Sequence, residues 1–340
     1  MTRLLKQSRR RTERAARIMA ATCVSALLFG VGATAASAAT KIVQGMVSHG
    51  ALQWPEYVAQ DKGWFKEKGI EHELIATRGG SGGAQELASG DLQLSYSGFP
   101  DFMRAINKGA PEKIIINCVG VPPYGVYAKK EIKTVADLKG KTVSVGGTKD
   151  VTLIYVEALT KPGGVTAKDM NYIYAKATPA RFAALVSGGA DATILFPPFT
   201  YRAEQQGFTN LGYINKVLPD FPFTVMAVNN AWAEKNKEAL NGYVASYGRA
   251  IRWLYDPANR AAAVDILVKY SNAKKEDAEP TYDFFIRDVK AFSPNGQFSP
   301  AAYKQMTDAL IEFEDIAPPV PAMSKFIDDG FVKASWDSWK

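Results

Sequence analysis

Short apolar runs alternate with longer stretches of helical periodicity from Lys41 onward, and this alternation is the strongest constraint on the fold. Such alternation favours α/β layering over a largely parallel sheet, because parallel strands need crossover helices between them. The predicted strands are residues 41–48, 70–77, 92–96, 113–121, 141–145, 171–174, 192–195 and 223–228. Beyond Asn230 the strands stop, and helices are predicted over residues 235–255, 259–270, 279–290 and 300–314.

Two places in this pattern indicate crossings between domains. Pro122 and Pro123 break the most apolar strand of the first half, and the strand that begins at Phe223 marks the return. We therefore expect hinge segments at residues 122–127 and 223–228. These crossings predict one lobe of residues 39–122 plus 225–340 and a second lobe of residues 123–224, and about 300 residues suit two domains.

The N-terminus is typical of a secretory signal peptide. Seven basic residues within the first 17 positions precede an uncharged apolar run from Ile18 to Ala36. Ala36, Ser37 and Ala38 are small, as signal peptidase requires, so we expect cleavage after Ala38 and release into the periplasm as a soluble protein. The three arginines at positions 9–11 leave Sec and twin-arginine export both open.

The alkaline pI reflects this segment, whose seven cations and one anion account for six of the seven net positive charges. The rest of the chain is about neutral and gives no sign of a nucleic-acid partner. Two isolated histidines and Cys118 provide no cluster of metal ligands, and no Gly-x-Ser-x-Gly elbow is present. We therefore expect no metal, no cofactor and no catalytic residue.

Polar and glycine-rich loops follow the predicted strands. Ligands of open α/β sheets bind beyond the carboxyl ends of strands, and helices that begin there offer free amides and a positive dipole end to an anion. The ligand-binding candidates in these loops are His49, Trp54, Arg78, Ser81, Ser97 and Phe99 in the first lobe and Thr148, Lys149 and Phe196 in the second.

Each candidate also has a structural interpretation. Arg78 precedes the glycine turn of residues 79–83, where it could clamp a carboxylate or sulfonate or remain a solvated cation. Trp54 could cover a ligand ring or pack against its own helix. The glycine turn is no Walker loop, because no Gly-Lys-Ser/Thr follows. His72, between two glutamates of a strand, is expected on a solvated face.

Four segments, in order and over almost the whole chain beyond the signal segment, resemble the nitrate/sulfonate/taurine-type periplasmic binding proteins of ABC importers. They are residues 54–70, which begin Trp-Pro-Glu-Tyr-Val-Ala; residues 88–93, Ala-Ser-Gly-Asp-Leu-Gln; residues 136–145, Ala-Asp-Leu-Lys-Gly-Lys-Thr-Val-Ser-Val; and residues 184–192, Ala-Leu-Val-Ser-Gly-Gly-Ala-Asp-Ala. The resemblance implies the type II periplasmic-binding fold, with two α/β lobes, each a mostly parallel sheet flanked by helices, on a two-strand hinge that closes around ligand.

The resemblance also implies a function, namely capture of a small molecule between the lobes and its delivery to the permease and ATPase subunits of an ABC importer at the inner membrane. Proteins of this kind are usually monomers. The resemblance assigns ligand contacts to Trp54, Ser81, Ser97 and Thr148.

Four possibilities for the function follow. The leading expectation is a small organic anion such as a sulfonate, a taurine-like compound or a carboxylate. A neutral heteroaromatic such as a thiamine-pyrimidine precursor is the alternative ligand. It would be favoured if Trp54, Phe99, Tyr124 and Phe196 line the cleft, and exposure of Arg78 would also support it. Presentation of ligand to a membrane sensor would use the same pocket. Eukaryotic thiamine-pyrimidine synthases are similar but enzymatic, with a cysteine-rich run and a cofactor-binding lysine, whereas only Cys118 remains here.

Overall fold

The computed structural model describes residues 39–148 and 150–335, so the predicted signal peptide and Lys149 lie outside the described residues. The ten strands in this part are β1 (Thr40–Met46), β2 (Ile70–Ala76), β3 (Leu94–Gly98), β4 (Glu112–Val119), β5 (Gly125–Ala128), β6 (Thr142–Val145), β7 (Asn171–Tyr174), β8 (Ala192–Leu195), β9 (Thr209–Tyr213) and β10 (Thr224–Asn229).

The strands form two five-stranded sheets of the same design. The first has the order β2-β1-β3-β10-β4 and the second β7-β6-β8-β5-β9. In each sheet one strand, β10 or β5, runs antiparallel to both of its neighbours, and the other strands run parallel to one another. The expectation of two mostly parallel sheets is confirmed, and the chain passes between them after β4 and again before β10.

Helices flank both sheets. The helices between the strands of the first sheet are α1 (Trp54–Asp61), α2 (Trp64–Glu67), α3 (Gly80–Ser89) and α4 (Phe99–Asn107). Those between the strands of the second sheet are α5 (Val151–Thr160), α6 (Thr178–Val186) and α7 (Phe199–Gln205). After β10 come α8 (Asn230–Lys235), α9 (Lys237–Tyr255), α10 (Arg260–Ser271), α11 (Lys275–Tyr282), a π-helix (Asp283–Asp288), α12 (Pro300–Glu312) and α13 (Gly330–Ala334). Among the described helices, none is long and apolar enough to cross a membrane.

Apolar periodicity explains how the helices attach to the sheets. In α4, Phe99, Phe102, Met103 and Ile106 are buried and recur at helical spacing, while Pro100 occupies the first turn, where its missing N–H costs nothing. Helices α9 and α10 both pack against α1, as expected for a C-terminal layer that covers the first sheet.

His72 does not lie on a solvated face, so that prediction is wrong. Its ring packs against Phe65 and Tyr243 with centroid distances of 4.5 and 5.6 Å, and its Nε2 lies 2.9 Å from Gln44 Oε1. Gln44 in turn donates to the buried carboxylate of Glu56 at 2.8 Å. The alternation of residues along β2 predicts a solvent-facing side chain for His72, but that face of the strand is covered by α2 and α9.

The outer edge of β4 is covered by the C-terminal part of the chain. Asn117 N donates to Gly296 O, and Ser293 N donates to Cys118 O. Further along the same edge, the backbone of Ile114 exchanges hydrogen bonds with residues 326 and 328, each at 2.9 Å. Residues 291–328 therefore complete the first sheet on the side of β4 that faces away from β10.

Candidate functional site

A cavity of about 480 Å³ lies between the two sheets, where the loops that follow their strands face each other. The first sheet supplies residues after β1, β2 and β3, and the second supplies residues after β6, β7 and β8. The polar and aromatic residues of its lining include Ser48, Gln53, Arg78, Ser81, Tyr96, Ser97, Asp101, Arg104, Lys108, Tyr124, Thr148, Asp150, Thr152, Lys176, Thr178, Arg181, Phe196, Phe223 and Thr224.

Five of the nine predicted ligand-binding residues line this cavity. They are Arg78, Ser81, Ser97, Thr148 and Phe196. Lys149 lies outside the described residues. The loops that carry these residues lie close together because parallel strands present their carboxyl ends at one edge of each sheet.

Trp54 and Phe99 do not line the cavity. Both are fully buried, since each is the first residue of a helix and turns inward to the core. The Trp54 indole N–H donates to Ala263 O at 2.9 Å, which ties α1 to α10. The Phe99 ring packs against Phe298 and Tyr303 at centroid distances of 5.9 and 6.3 Å. Burial gives these side chains structural roles.

His49 is also outside the cavity lining. It is exposed on the loop after β1, and its Nδ1 lies 3.1 Å from Tyr57 Oη. The two rings are stacked at a centroid distance of 6.4 Å. Tyr57 holds the side chain against α1.

An aspartate occupies the N-terminal end of α3 inside the cavity. The Asp101 carboxylate accepts hydrogen bonds from Ser97 Oγ at 2.8 Å, from Ser81 Oγ at 3.0 Å and from Arg104 Nη2 at 2.8 Å. A Cβ atom on Gly80 would lie 2.0 Å from Asp101 Oδ2, so any larger residue there would displace the carboxylate. The protein places its own carboxylate where helix α3 would attract an anion.

Burial raises the pKa of the Asp101 carboxyl, and the Arg104 guanidinium and the two serine hydroxyls oppose that rise. The charge of Asp150 raises the pKa further. Asp150 caps α5, where it accepts from Thr152 N at 2.9 Å, and it lines the cavity from the other sheet. Two carboxylates, one from each side, thus influence each other across the cavity.

The described guanidinium groups of the lining already have acceptors. Arg181, 2% exposed, donates to Ile194 O at 3.0 Å, to Ala175 O at 3.2 Å and to the Thr178 hydroxyl at 2.8 Å. Arg104 is paired with Asp101 and with Asp315. These two cations brace the walls of the cavity.

Arg78 faces solvent more than the cavity. Its side chain is 82% exposed, and its Nε lies 3.2 Å from Glu86 Oε1 on the outer side of α3. Arg78 is nevertheless part of the cavity lining, and the clamp on a carboxylate or sulfonate stays a prediction. Exposure of Arg78 is the observation that favours the neutral heteroaromatic alternative.

Aromatic rings close the side of the cavity next to the two crossings. Tyr124 makes edge contacts with Phe196 and Phe223 at centroid distances of 5.2 and 5.1 Å. Burial raises the pKa of the Tyr124 phenol to about 12, and Arg181 opposes this rise. These rings offer faces and edges to a flat apolar ligand.

Gln53 was missed as a ligand-binding candidate, although it follows β1 like the others. It ends a short 3₁₀ helix, Ala51–Gln53, directly before α1. The side chain is 1% exposed and lines the cavity, and its Oε1 has no hydrogen-bond partner among the described residues. The signal available in the sequence was its position in the loop after the first strand, but from this loop only His49 and Trp54 were chosen as candidates.

Within the described residues, no group of three histidine, cysteine, aspartate or glutamate side chains could hold a metal ion. Cys118 is fully buried in β4, and burial raises the pKa of its thiol. The chemistry that the described site offers is therefore hydrogen bonding, charge and ring packing.

The family described as NMT1/THI5 like matches residues 53–261. A formylaminopyrimidine-binding protein of Halalkalibacterium halodurans is 25% identical over 256 residues, which cover 71% of this chain and 74% of that protein. Among solved structures, the alkanesulfonate-binding protein SsuA of Xanthomonas axonopodis pv. citri, bound to MOPS, has a TM-score of 0.68 at 17% identity and covers 84% of this chain and 98% of its own.

The periplasmic nitrate-binding protein NrtA of Synechocystis PCC 6803 superposes with a TM-score of 0.72 at 13% identity, over 88% of this chain and 89% of its own. At these identities the likeness shows the fold alone. The two-lobe periplasmic-binding fold expected from the sequence is confirmed.

Proposed function

The chain belongs to the NMT1/THI5-like family, and on this premise we propose that it is the solute-binding component of an ABC importer that captures an amino-substituted nitrogen heteroaromatic. The observation that carries the ligand class is the Asp101 carboxylate at the N-terminal end of α3, held by Ser81 and Ser97. This group accepts hydrogen bonds and repels anions, so the position favours a ligand that donates N–H groups.

The rest of the lining supports the same class. Arg181 and Arg104 each donate to several protein acceptors, and Arg78 is exposed. The rings of Tyr124, Phe196 and Phe223 supply an apolar wall for a planar ligand. The relative from Halalkalibacterium halodurans is named for binding a formylaminopyrimidine, which is a ligand of this chemistry.

A small organic anion is the second candidate, and a specific observation favours it. Five basic residues and two acidic residues line the cavity among the residues described, and helices α3, α4, α5 and α6 begin at or beside it. Free amides at helix N-termini attract anions. The second candidate ranks lower because Asp101 and Asp150 occupy two of these helix ends.

The wider setting of this function is part of the proposal. Residues 39–122 with 225–340 form one lobe and residues 123–224 the other, with the two crossings as hinges that close the lobes on ligand. The chain acts outside the cytoplasm as a soluble monomer after cleavage at Ala38, binds its ligand without transforming it, and hands it to a permease and ATPase pair. Strands β1 to β4 and β10 form one sheet and strands β5 to β9 form the other, which supports this division.

Isothermal titration calorimetry tests the ligand class. The protein is purified from cells that express the full chain, stripped of ligand by unfolding and refolding, and titrated with aminopyrimidines, alkanesulfonates, taurine, nitrate and aromatic carboxylates. We expect saturable one-to-one binding of an aminopyrimidine. Binding of a sulfonate or carboxylate alone would establish the second candidate, and turnover of any compound into a new product would contradict a binding role.

A further inference from the structure

The carboxamide oxygen of Gln53 is a buried acceptor without a partner among the described residues. The residue lines the cavity and is 1% exposed. Buried acceptors in folded proteins are almost always satisfied, because an unmade hydrogen bond costs the full desolvation of the group. An acceptor left open toward a cavity is therefore a place where a ligand donates.

Asp101 offers a second acceptor in the same cavity. Its Oδ1 accepts from Ser81 and Arg104, whereas its Oδ2 accepts from Ser97 alone in the contacts described above. A carboxylate has about four acceptor positions, so Oδ2 can take one more hydrogen. The residues that hold Asp101 fix its orientation, which makes it a rigid acceptor.

We infer that Gln53 and Asp101 are the specificity-determining residues of this cavity and select ligands by N–H donors that satisfy Gln53 Oε1 and Asp101 Oδ2. This inference rests on the proposed function and adds to it the two atoms that recognise the ligand. A ring that carries an amino group has two N–H donors, one for each acceptor. A ring of the same shape with a methyl group in that place leaves them unpaired, and a site with unpaired buried polar groups rejects such an analogue.

The test uses 4-amino-2-methylpyrimidine and 2,4-dimethylpyrimidine, which differ by an amino group against a methyl group. By calorimetry, the unaltered protein should bind the amino compound at least about tenfold more tightly, which is the discrimination of one well-made hydrogen bond. Gln53→Ala and Asp101→Asn should each reduce that preference at least about threefold, mainly through weaker binding of the amino compound.

Two kinds of control keep folding and specificity apart. Gln53→Glu retains acceptor oxygens and should keep the preference for the amino compound. Gln205→Ala and Asp265→Asn change exposed residues outside the cavity lining and should leave both affinities unchanged. Retained binding of the dimethyl compound shows that a variant is folded.

The outcomes separate this inference from the function on which it rests. If the unaltered protein binds neither pyrimidine, the proposed ligand class is wrong and the inference falls with it. If it binds both pyrimidines equally well, or if Gln53→Ala keeps the full preference, the proposed function stands and the specificity role of these residues is overturned.

Discussion

The Asp101 carboxylate and the Ser97 hydroxyl lie 2.8 Å apart at the N-terminal end of helix α3. Ser97 belongs to β3 and Asp101 to the first turn of α4, so their contact places a charge from one helix at the positive end of another. The same carboxylate also holds Ser81 and Arg104. A site that resembles an anion pocket in sequence is thereby changed into one that accepts hydrogen bonds.

Replacement of Gly80 should displace this carboxylate. In Gly80→Ala the new Cβ would meet Asp101 Oδ2 at 2.0 Å and Ser97 Oγ at 2.3 Å, so both side chains must move. We expect a loss of about 1–3 kcal/mol in the free energy of unfolding and weaker binding of aminopyrimidines. Urea denaturation and calorimetry measure the two effects. Gly50→Ala, where a Cβ meets nothing within 4 Å, is the matched control, and equal behaviour of the two variants would contradict the prediction.

Arg78→Ala separates the two ligand classes. The side chain is 82% exposed and paired with Glu86, so its removal should change the Kd for an aminopyrimidine by less than about twofold, because exposed pairs contribute little. An anionic ligand clamped by Arg78 would instead lose at least about tenfold. Calorimetry in parallel with Arg252→Ala, another exposed arginine, shows whether any effect is specific to this position.

Trp54→Phe should lower the stability of the fold and leave the affinity for ligand unchanged. The substitution removes the indole N–H donor to Ala263 O, a carbonyl within helix α10, and the smaller ring leaves a gap in the core. Together these losses cost about 1–3 kcal/mol in the free energy of unfolding. Affinity should stay within about twofold of the unaltered protein, since one unmade ligand contact would change it by more. Urea denaturation and calorimetry provide both numbers, and a drop in affinity without a drop in stability would show that Trp54 touches ligand.

Stability should fall as the pH rises from 4.5 toward 7. Burial raises the pKa of Glu56 from 4.5 to about 7, so the folded protein keeps a proton that the unfolded chain releases. The contribution of Glu56 is complete below pH 4.5 and is lost by pH 7, about 3 kcal/mol in all. Burial of Glu112, whose pKa rises to about 8, adds a slope of the same sign.

Glu56→Gln isolates this group, because the amide cannot ionise and still accepts from Gln44. Its stability should fall less steeply over this range, as urea midpoints at pH 5, 6, 7 and 8 would show. His72 acts in the opposite sense in both proteins: burial lowers its pKa from 6.5 to about 3, so its contribution is present above pH 6.5 and is lost toward pH 3. Identical slopes for the variant and the unaltered protein would exclude Glu56 as a source.

Much of the fold could be predicted because hydrophobic runs and breakers set most elements locally. Residues 171–174 and 192–195 are strands with the predicted bounds. Strands β5 and β9 were missed. β5 has only four residues directly after a proline pair, and β9 is half-buried and carries Asn210 and Gly212, so neither gives an alternating pattern.

The site could be predicted less well for a different reason. Position after a strand identified the loops, and Ser81, Ser97 and Thr148 do line the cavity. Which side chain of a loop turns inward depends on tertiary packing. Trp54 is drawn into the core by Ala263, whereas its neighbour Gln53 is left facing the cavity.

The covered edge of β4 affects how the chain matures. Unpaired strand edges are templates for association with another chain, and residues 291–328 are the ones that occupy this edge. They follow every strand of both sheets in the sequence and are therefore translated after all of them. Until residues 291–328 pair with it, the edge of β4 is open to another chain, so we expect the incompletely folded molecule to be the form that aggregates.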